Sequence, residues 1–421
     1  MERKPSIHFG SFDAERYWRP ENRVNLPAIT DAQGMRIIAE MDQLLSIRCR
    51  PDDILMARTP FDPALRAVLA DADIRFSEHP IPSCPTQQTE QILLDQVSPP
   101  PADYTLMPYA VTDAVGALQR RWQSTSPLPD AENVSRLSSK TWSNQWVRAH
   151  QLPGDAEVIT DVAQLRGYAS GCSDGGFIIK DPYGVAGRGA IHITSPSILE
   201  NICRHLDKQV ATGKMLELLV QPFFPRLSDF SAHLAIGTTG SIEWLGLRQM
   251  QNNGLTYNGS GALSSSLTQR LTAEHYQDRV IELAADMARE GYFGPICIDA
   301  MLLNDNRIIP VLEVNPRVSM GLLSLLLEKK FAPELGVDLC VRSLKTTSST
   351  DFMPRFLTQL ARQDLLAHRD HPGILPLSSA TVLSPRGRLY FARVYRKDKP
   401  EAAIHDDTPL IQALTACGAS L

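Results

Sequence analysis

Glu313, Asn315 and Arg317 alternate along the run Val311-Leu-Glu313-Val-Asn315-Pro-Arg317, shortly after a second apolar run, Ile296-Cys-Ile-Asp299-Ala-Met-Leu-Leu303. The runs read as two strands joined by a tight connection. Side chains alternate along a strand, so the carboxylate, amide and guanidinium share one face while Leu312 and Val314 take the other. A hydrophobic strand that gives a whole face to such groups is not building core there. Oxygen ligands of this kind suit Mg²⁺ bridged to phosphates, and an arginine beside them suits an anionic group. The chemistry requires Asp299 to face Glu313. Pairing Leu303 with Ile309 across the loop 304–308 puts Asp299 opposite Glu313, whereas a one-residue slip turns it to the other face.

A second group of residues suits phosphate. Phe177-Ile-Ile-Lys180-Asp-Pro-Tyr-Gly184-Val-Ala-Gly187-Arg188-Gly189-Ala-Ile-His-Ile193 reads as a strand, a glycine-rich loop and a strand. Gly184, Gly187 and Gly189 let backbone N–H groups approach an anion closely. Lys180 closes the first strand and, with Arg188, could reach phosphate oxygens. A P-loop needs Gly-Lys-Ser/Thr leading into a helix, and a dinucleotide fingerprint also opens a helix; here Gly-Arg-Gly leads into a strand. A hairpin with a solvated lysine is the structural alternative. Leu216-Glu-Leu-Leu-Val220-Gln221-Pro222-Phe223-Phe224 begins as an apolar strand and ends in a stretch whose free backbone groups could meet an adenine edge. Pro222 lacks an N–H, so only its carbonyl is available.

The elements that must hold these groups follow from composition and pattern. A chain of 421 residues, 43% hydrophobic, predicts two or three soluble units of α/β (α+β) class. Three segments separate: 1–130, 131–345 and 346–421. In the first, 53–57 and 74–76 read as strands, 30–46 as a helix, and 62–72 as a helix with Asp62 as N-cap before Pro63. Pro-rich breaks at 98–102 and 126–130 read as loops at the edge of this unit. The third follows a linker-like Lys345-Thr-Thr-Ser-Ser-Thr350 and carries strands at 380–383 and 388–395 and a helix at 409–417. The net charge of −5 comes without a basic block, which argues against nucleic acid. No run reaches membrane-span length and the N-terminus lacks a signal-peptide core, so the expectation is a cytoplasmic protein without membrane contact. Seven scattered cysteines with no Cys-x-x-Cys exclude common zinc and redox motifs.

Taken in chain order, the set resembles the ATP-grasp superfamily of carboxylate–amine ligases over residues 131 to 330. The order is Ser138-Ser-Lys140-Thr-Trp-Ser, then Ile-Ile-Lys180 with its glycine loop, the 220–223 hinge, Asp299, and Glu313-Val-Asn315-Pro-Arg317. The resemblance implies an ATP-grasp fold with an N-terminal α/β pre-ATP-grasp domain and a small C-terminal α/β extension. It implies that Lys140 and Lys180 contact ATP phosphates and that the 184–189 loop is a flap over them. Gln221, Phe223 and Phe224 match the hinge that recognises adenine; Gln221 stands where many relatives have Glu. Asp299, Glu313 and Asn315 match the ligands of two Mg²⁺ ions (Mn²⁺ being an alternative), and Arg317 the residue that steadies an acyl phosphate. The tail loosely resembles ATP-grasp peptide ligases of natural-product pathways, and dimers are common in the family.

The implied reaction passes the γ-phosphoryl of ATP to a carboxylate, after which an amine, often an amino acid's, displaces phosphate. A biotin carboxylase-type or purine-pathway ligase and a non-catalytic ATP-binding regulator are the competing readings. Arg248, on a run that reads as a strand, is either a substrate cation or a surface arginine. Asn252 to Gly261, rich in glycine and amide, suits a mobile substrate loop. Asp229, Ser231 and His233 alternate on a run that reads as a strand and either line the ribose or substrate side or form a half-exposed face. Trp142 and Trp146, four apart, are expected to anchor a helix.

Overall fold

The computed structural model describes the whole chain except residues 1–3, 28–30, 101–103, 172–175, 185–188, 255 and 399–406. Among the described residues three sheets carry the architecture. β1 (Ser6–Phe9), β2 (Ile54–Ala57), β3 (Ser77–Pro80) and β4 (Thr105–Pro108) form a parallel sheet in the order β3-β2-β1-β4. β5 (Glu157–Ile159), β6 (Phe177–Lys180), β7 (Ala190–Ile193) and β8 (Leu218–Pro222) form an antiparallel sheet in the order β5-β8-β6-β7.

The third sheet begins with β9 (Arg226–Ile236), β10 (Ile242–Asn253) and β11 (Thr256–Gly261), continues with β12 (Gly294–Leu303), β13 (Ile308–Asn315) and β14 (Leu335–Thr346), and ends with β15 (Gly373–Pro376), β16 (Arg386–Arg396) and β17 (Ala419–Ser420). Its order is β13-β12-β9-β10-β11-β14-β16-β15, with β17 beside β14.

Local chemistry explains most of these elements. Asp62 Oδ1 accepts from the N–H groups of Ala64 and Leu65 and starts the helix Pro63–Asp71 as expected. The expected helix over 30–46 is instead Ala32–Ala39 followed by 3₁₀ turns to Arg48, with Thr30 outside the described residues. The strand expected at 74–76 begins three residues later, at Ser77: Ile74 and Phe76 are spent on the core, the Phe76 ring lying tilted against Phe61 with centroids 5.1 Å apart, before pairing starts. The strand expected at 380–383 is a loop wrapped on Gln43 Oε1, which accepts from the Ser378 hydroxyl and the Ser379 and Ala380 N–H groups. The linker-like 345–350 starts inside β14, where Lys345 pairs with Arg386 and with Ser420. Among the described residues no helix is long and apolar enough to cross a membrane.

The small antiparallel sheet has its own core, including Ile159, Leu165, Phe177, Ile179, Ile202, Leu206, Leu218 and Val220. Val24 and Leu26, from the N-terminal segment, complete it, and Asn22 and Val24 exchange backbone hydrogen bonds with Met215.

Candidate active site

β12 and β13 bring the acidic groups together. Asp299 lies directly opposite Glu313, as the strand alternation requires. The route to that register differs from the simple hairpin: near the turn Met301 pairs with Ile309 and Leu302 with Ile308, not Leu303 with Ile309. An irregularity between Asp299 and Met301 sets Pro310, Val311 and Leu312 against Ala300 alone. Pro310 has no N–H to offer the ladder, so a break there is inexpensive. Two extra residues preserve the face, and the carboxylates still meet. Asn315 Nδ2 donates to Asp299 Oδ2 at 3.1 Å, and Cys297 Sγ donates to Asp299 Oδ1 at 3.3 Å. Burial, and then the Glu313 charge beside it, raise the Asp299 pKa, so this carboxyl holds a proton readily. Glu313, despite burial, is held low by Lys140.

Lys140 and Lys180 close the other side. Lys140 Nζ lies 2.5 Å from Glu313 Oε2 and donates to Gly184 O at 2.6 Å. Lys180 Nζ donates to Gln221 Oε1 at 3.0 Å. Burial lowers the Lys180 pKa to about 8; Glu313 opposes that fall and Lys140 adds to it. Gly184 and Gly189 pinch the base of the loop, since a Cβ on Gly184 would lie 2.3 Å from Gly189 Cα. The space between Lys140, Lys180, Gln221, Val311 and Leu312 is about 10 Å³, the room of a single water. Gly187 and Arg188 lie outside the described residues.

Arg317 reaches the N-terminal sheet. Its Nε meets Glu15 Oε1 at 2.6 Å, its Nη1 donates to Tyr109 OH at 3.0 Å, and its Nη2 donates to Asn315 Oδ1 at 3.2 Å. Glu15 follows β1 and Tyr109 follows β4. These adjacent strands flank the point where the parallel sheet's order reverses, and crevices at the carboxyl ends of strands at such a point are the usual ligand sites of open α/β sheets. Neither residue was singled out from sequence.

No protein-family model matches the chain. A curated relative, the butirosin acyl-carrier protein–L-glutamate ligase of Niallia circulans, is 23% identical over 315 residues, covering 72% of this chain and 71% of that protein. The biotin carboxylase–β,γ-ATP complex from Campylobacter jejuni superposes with a TM-score of 0.52 at 10% identity, over 94% of this chain and 88% of that one. The L-amino acid ligase from Bacillus licheniformis superposes with a TM-score of 0.50 at 10% identity, over 96% of each chain. The chain has the ATP-grasp fold.

Within this ATP-grasp frame the remaining candidates fall in different places. Gln221 is buried and supplies the acceptor for Lys180. Phe223 stacks on His192 with centroids 3.8 Å apart, and Phe224 packs against Met301, Leu303 and Ile309 at the apolar end of the cleft. Asp229 is engaged by Arg226 Nε at 2.8 Å and Asn252 Nδ2 at 2.7 Å.

Arg248 is not a surface residue; it is buried and paired with Glu328, which Lys397 also meets at 2.8 Å. His233 is not on a half-exposed face. Its ring is fully buried between the hydroxyls of Ser231 and Ser319, and burial, then Arg248, push its pKa down to about 3. Residues 256–261 form β11 rather than a mobile loop, because Gly259 and Gly261 allow β14 to approach: a Cβ on Gly259 would lie 2.5 Å from Leu339 O. Trp142 and Trp146 anchor their helix through their indole N–H groups to Glu290 and Asp286.

Asp299, Glu313 and Asn315 suit divalent cations. Two opposed carboxylates, one of them holding a proton, carry charge that a cation would relieve without burying new groups. Among the described residues no group of three or more His, Cys, Asp or Glu could hold a metal. A cation at this pair would therefore draw its other ligands from Asn315, phosphate oxygens and water.

Proposed function

We propose that this chain is an ATP-dependent ligase that joins a carboxylate to an amine, with an amino acid as one partner, and releases ADP and phosphate. The observation that carries the reading is the meeting of Asp299 and Glu313 with Lys140, Lys180 and the glycine-rich loop in one cleft. In the reaction a carboxylate oxygen attacks the γ-phosphorus of ATP and ADP leaves. The amine nitrogen then attacks the acyl carbon, phosphate departs with the C–O bond electrons, and the nitrogen gives up a proton.

Mg²⁺ would supply charge neutralisation across the phosphate oxygens. Asp299, Glu313 and Asn315 would hold it. Lys180 and Lys140 offset the phosphate charge, and Lys140 must leave Glu313 for the cation to take its place. Arg317, held in the crevice by Glu15 and Tyr109, would meet the acyl phosphate. Gln221, Phe223 and Phe224 would receive the base. Closure of the loop would keep water from the acyl phosphate.

The curated relative, which joins L-glutamate to an acyl-carrier protein, favours an amino acid as the acid and a carrier-bound group as its acceptor. The test is a screen for substrate-dependent ADP and phosphate release over paired amino acids, small acids and an acylated carrier protein, with mass spectrometry of products. Wild type should form one amide per ADP with a matching pair. Glu313→Ala should lose that turnover by at least about 10³-fold while melting as a folded protein. Binding of ATP without release of ADP for any pair would leave the regulator reading in its place.

A further inference from the structure

We propose that Arg19 is a positioning residue for the glycine-rich loop, acting through Asp181, and that the short helix Glu15–Trp18 links that loop to Arg317. The inference rests on the ligase reading for what the loop and Arg317 do.

Asp181 organises both ends of the loop. Its N–H donates to Gly189 O at 2.7 Å, its carbonyl accepts from Gly184 N at 3.1 Å, and its Oδ1 accepts from Tyr183 N at 2.8 Å. The carboxylate is buried, with side-chain exposure of 2%, and its charge needs a partner. That partner comes from far away in sequence: Arg19 Nη2 pairs with Asp181 Oδ2, while Arg19 Nη1 donates to Val24 O at 3.0 Å.

Arg19 is the C-cap of the helix that Glu15 opens, and its N–H donates to Glu15 O at 3.2 Å. Glu15 holds Arg317 Nε at 2.6 Å, so one turn of helix carries the anchor of the arginine and the anchor of the loop. Beyond it the strap continues into the small sheet. Arg23 meets Glu217 at 2.8 Å, and Glu217 Oε1 accepts from Thr141 Oγ1 at 2.8 Å, on the helix that carries Lys140. Val24 and Leu26 are buried in that sheet's core. Motion of the small sheet is thereby tied to Glu15, and so to Arg317.

The experiment follows release of a fluorescent ADP analogue with Mg²⁺ from the full chain by stopped flow, beside circular-dichroism melting. Arg19→Ala should speed release roughly tenfold, the loss of one charge-assisted contact, with secondary structure retained. Arg19→Lys should recover part of that loss, because the charge returns without the second hydrogen bond. In Asp181→Asn the removal of Arg19 should add little, since the two act through one contact. Glu15→Gln should also speed release, although Glu15 touches Arg317 and not the loop. Release at the wild-type rate from Arg19→Ala, full additivity with Asp181→Asn, or an unchanged rate in Glu15→Gln would overturn the proposal. Failure of the wild-type chain to bind the Mg²⁺–ADP analogue at all would instead overturn the ligase reading beneath it.

Discussion

At the scale of single residues, the site is a problem of charge. Lys180 is buried with Lys140 nearby, and its pKa falls to about 8. A cation that meets phosphate becomes easier to protonate, so nucleotide binding should take up a proton above that value. The affinity of the free protein for ATP should therefore fall as pH rises through about 8, and level off once the pH exceeds the higher pKa of the bound state. Titration calorimetry between pH 7 and 10 would show the slope, and Lys180→Met should bind more weakly without it. For stability the sign is opposite: the folded pKa lies below the unfolded one, so the cost of this buried ammonium is full below pH 8 and disappears as pH rises toward the ordinary lysine range. Lys180, Asp299 and Glu313 were legible in the sequence because polar groups on apolar strands are hard to explain otherwise. Glu15, Tyr109 and Asp181 were not. A lone Glu near Phe12 and Trp18 carries no periodic signal, and its partner Arg317 lies 302 residues away.

At the scale of elements, strand alternation predicted that Asp299 faces Glu313 but missed how. The irregular stretch beside Pro310 shifts the register by two, a change that alternation cannot detect because it leaves every face unchanged. The hairpin at β10–β11 was mistaken for a loop for a related reason: glycines that permit a turn also permit close strand packing. The helix Met320–Glu328 makes a similar demand. A Cβ on Gly321 would lie 2.4 Å from His233 Nε2, and the ring is fixed on both sides by Ser231 and Ser319. Gly321→Ala should cost about 1–3 kcal/mol, since the buried ring has no vacant space to enter. Urea denaturation would measure it, and a midpoint equal to wild type would mean that the helix slides freely over the sheet.

At the scale of the whole molecule, the ATP-grasp sheet runs through the position where composition suggested a linker. β14 pairs with β11 on one side and β16 on the other, so residues before and after 345 share one set of ladder bonds. A chain ending at residue 345 would expose the length of β14 as an unpaired, apolar edge. It should aggregate on expression, and adding residues 346–421 as a separate chain should restore soluble protein; a soluble, monomeric fragment would contradict this. Composition divides a chain by local bias, and a sheet assembled from distant strands leaves no such mark. The strap at residues 22–26 has a consequence for the order of events during synthesis. Its backbone partner, Met215, leaves the ribosome long after it, and the core that receives Val24 and Leu26 is incomplete until β8 has been made. The first sheet can collapse early, but these two apolar side chains must wait in solvent, a period in which a chaperone or an unrelated nascent chain could claim them.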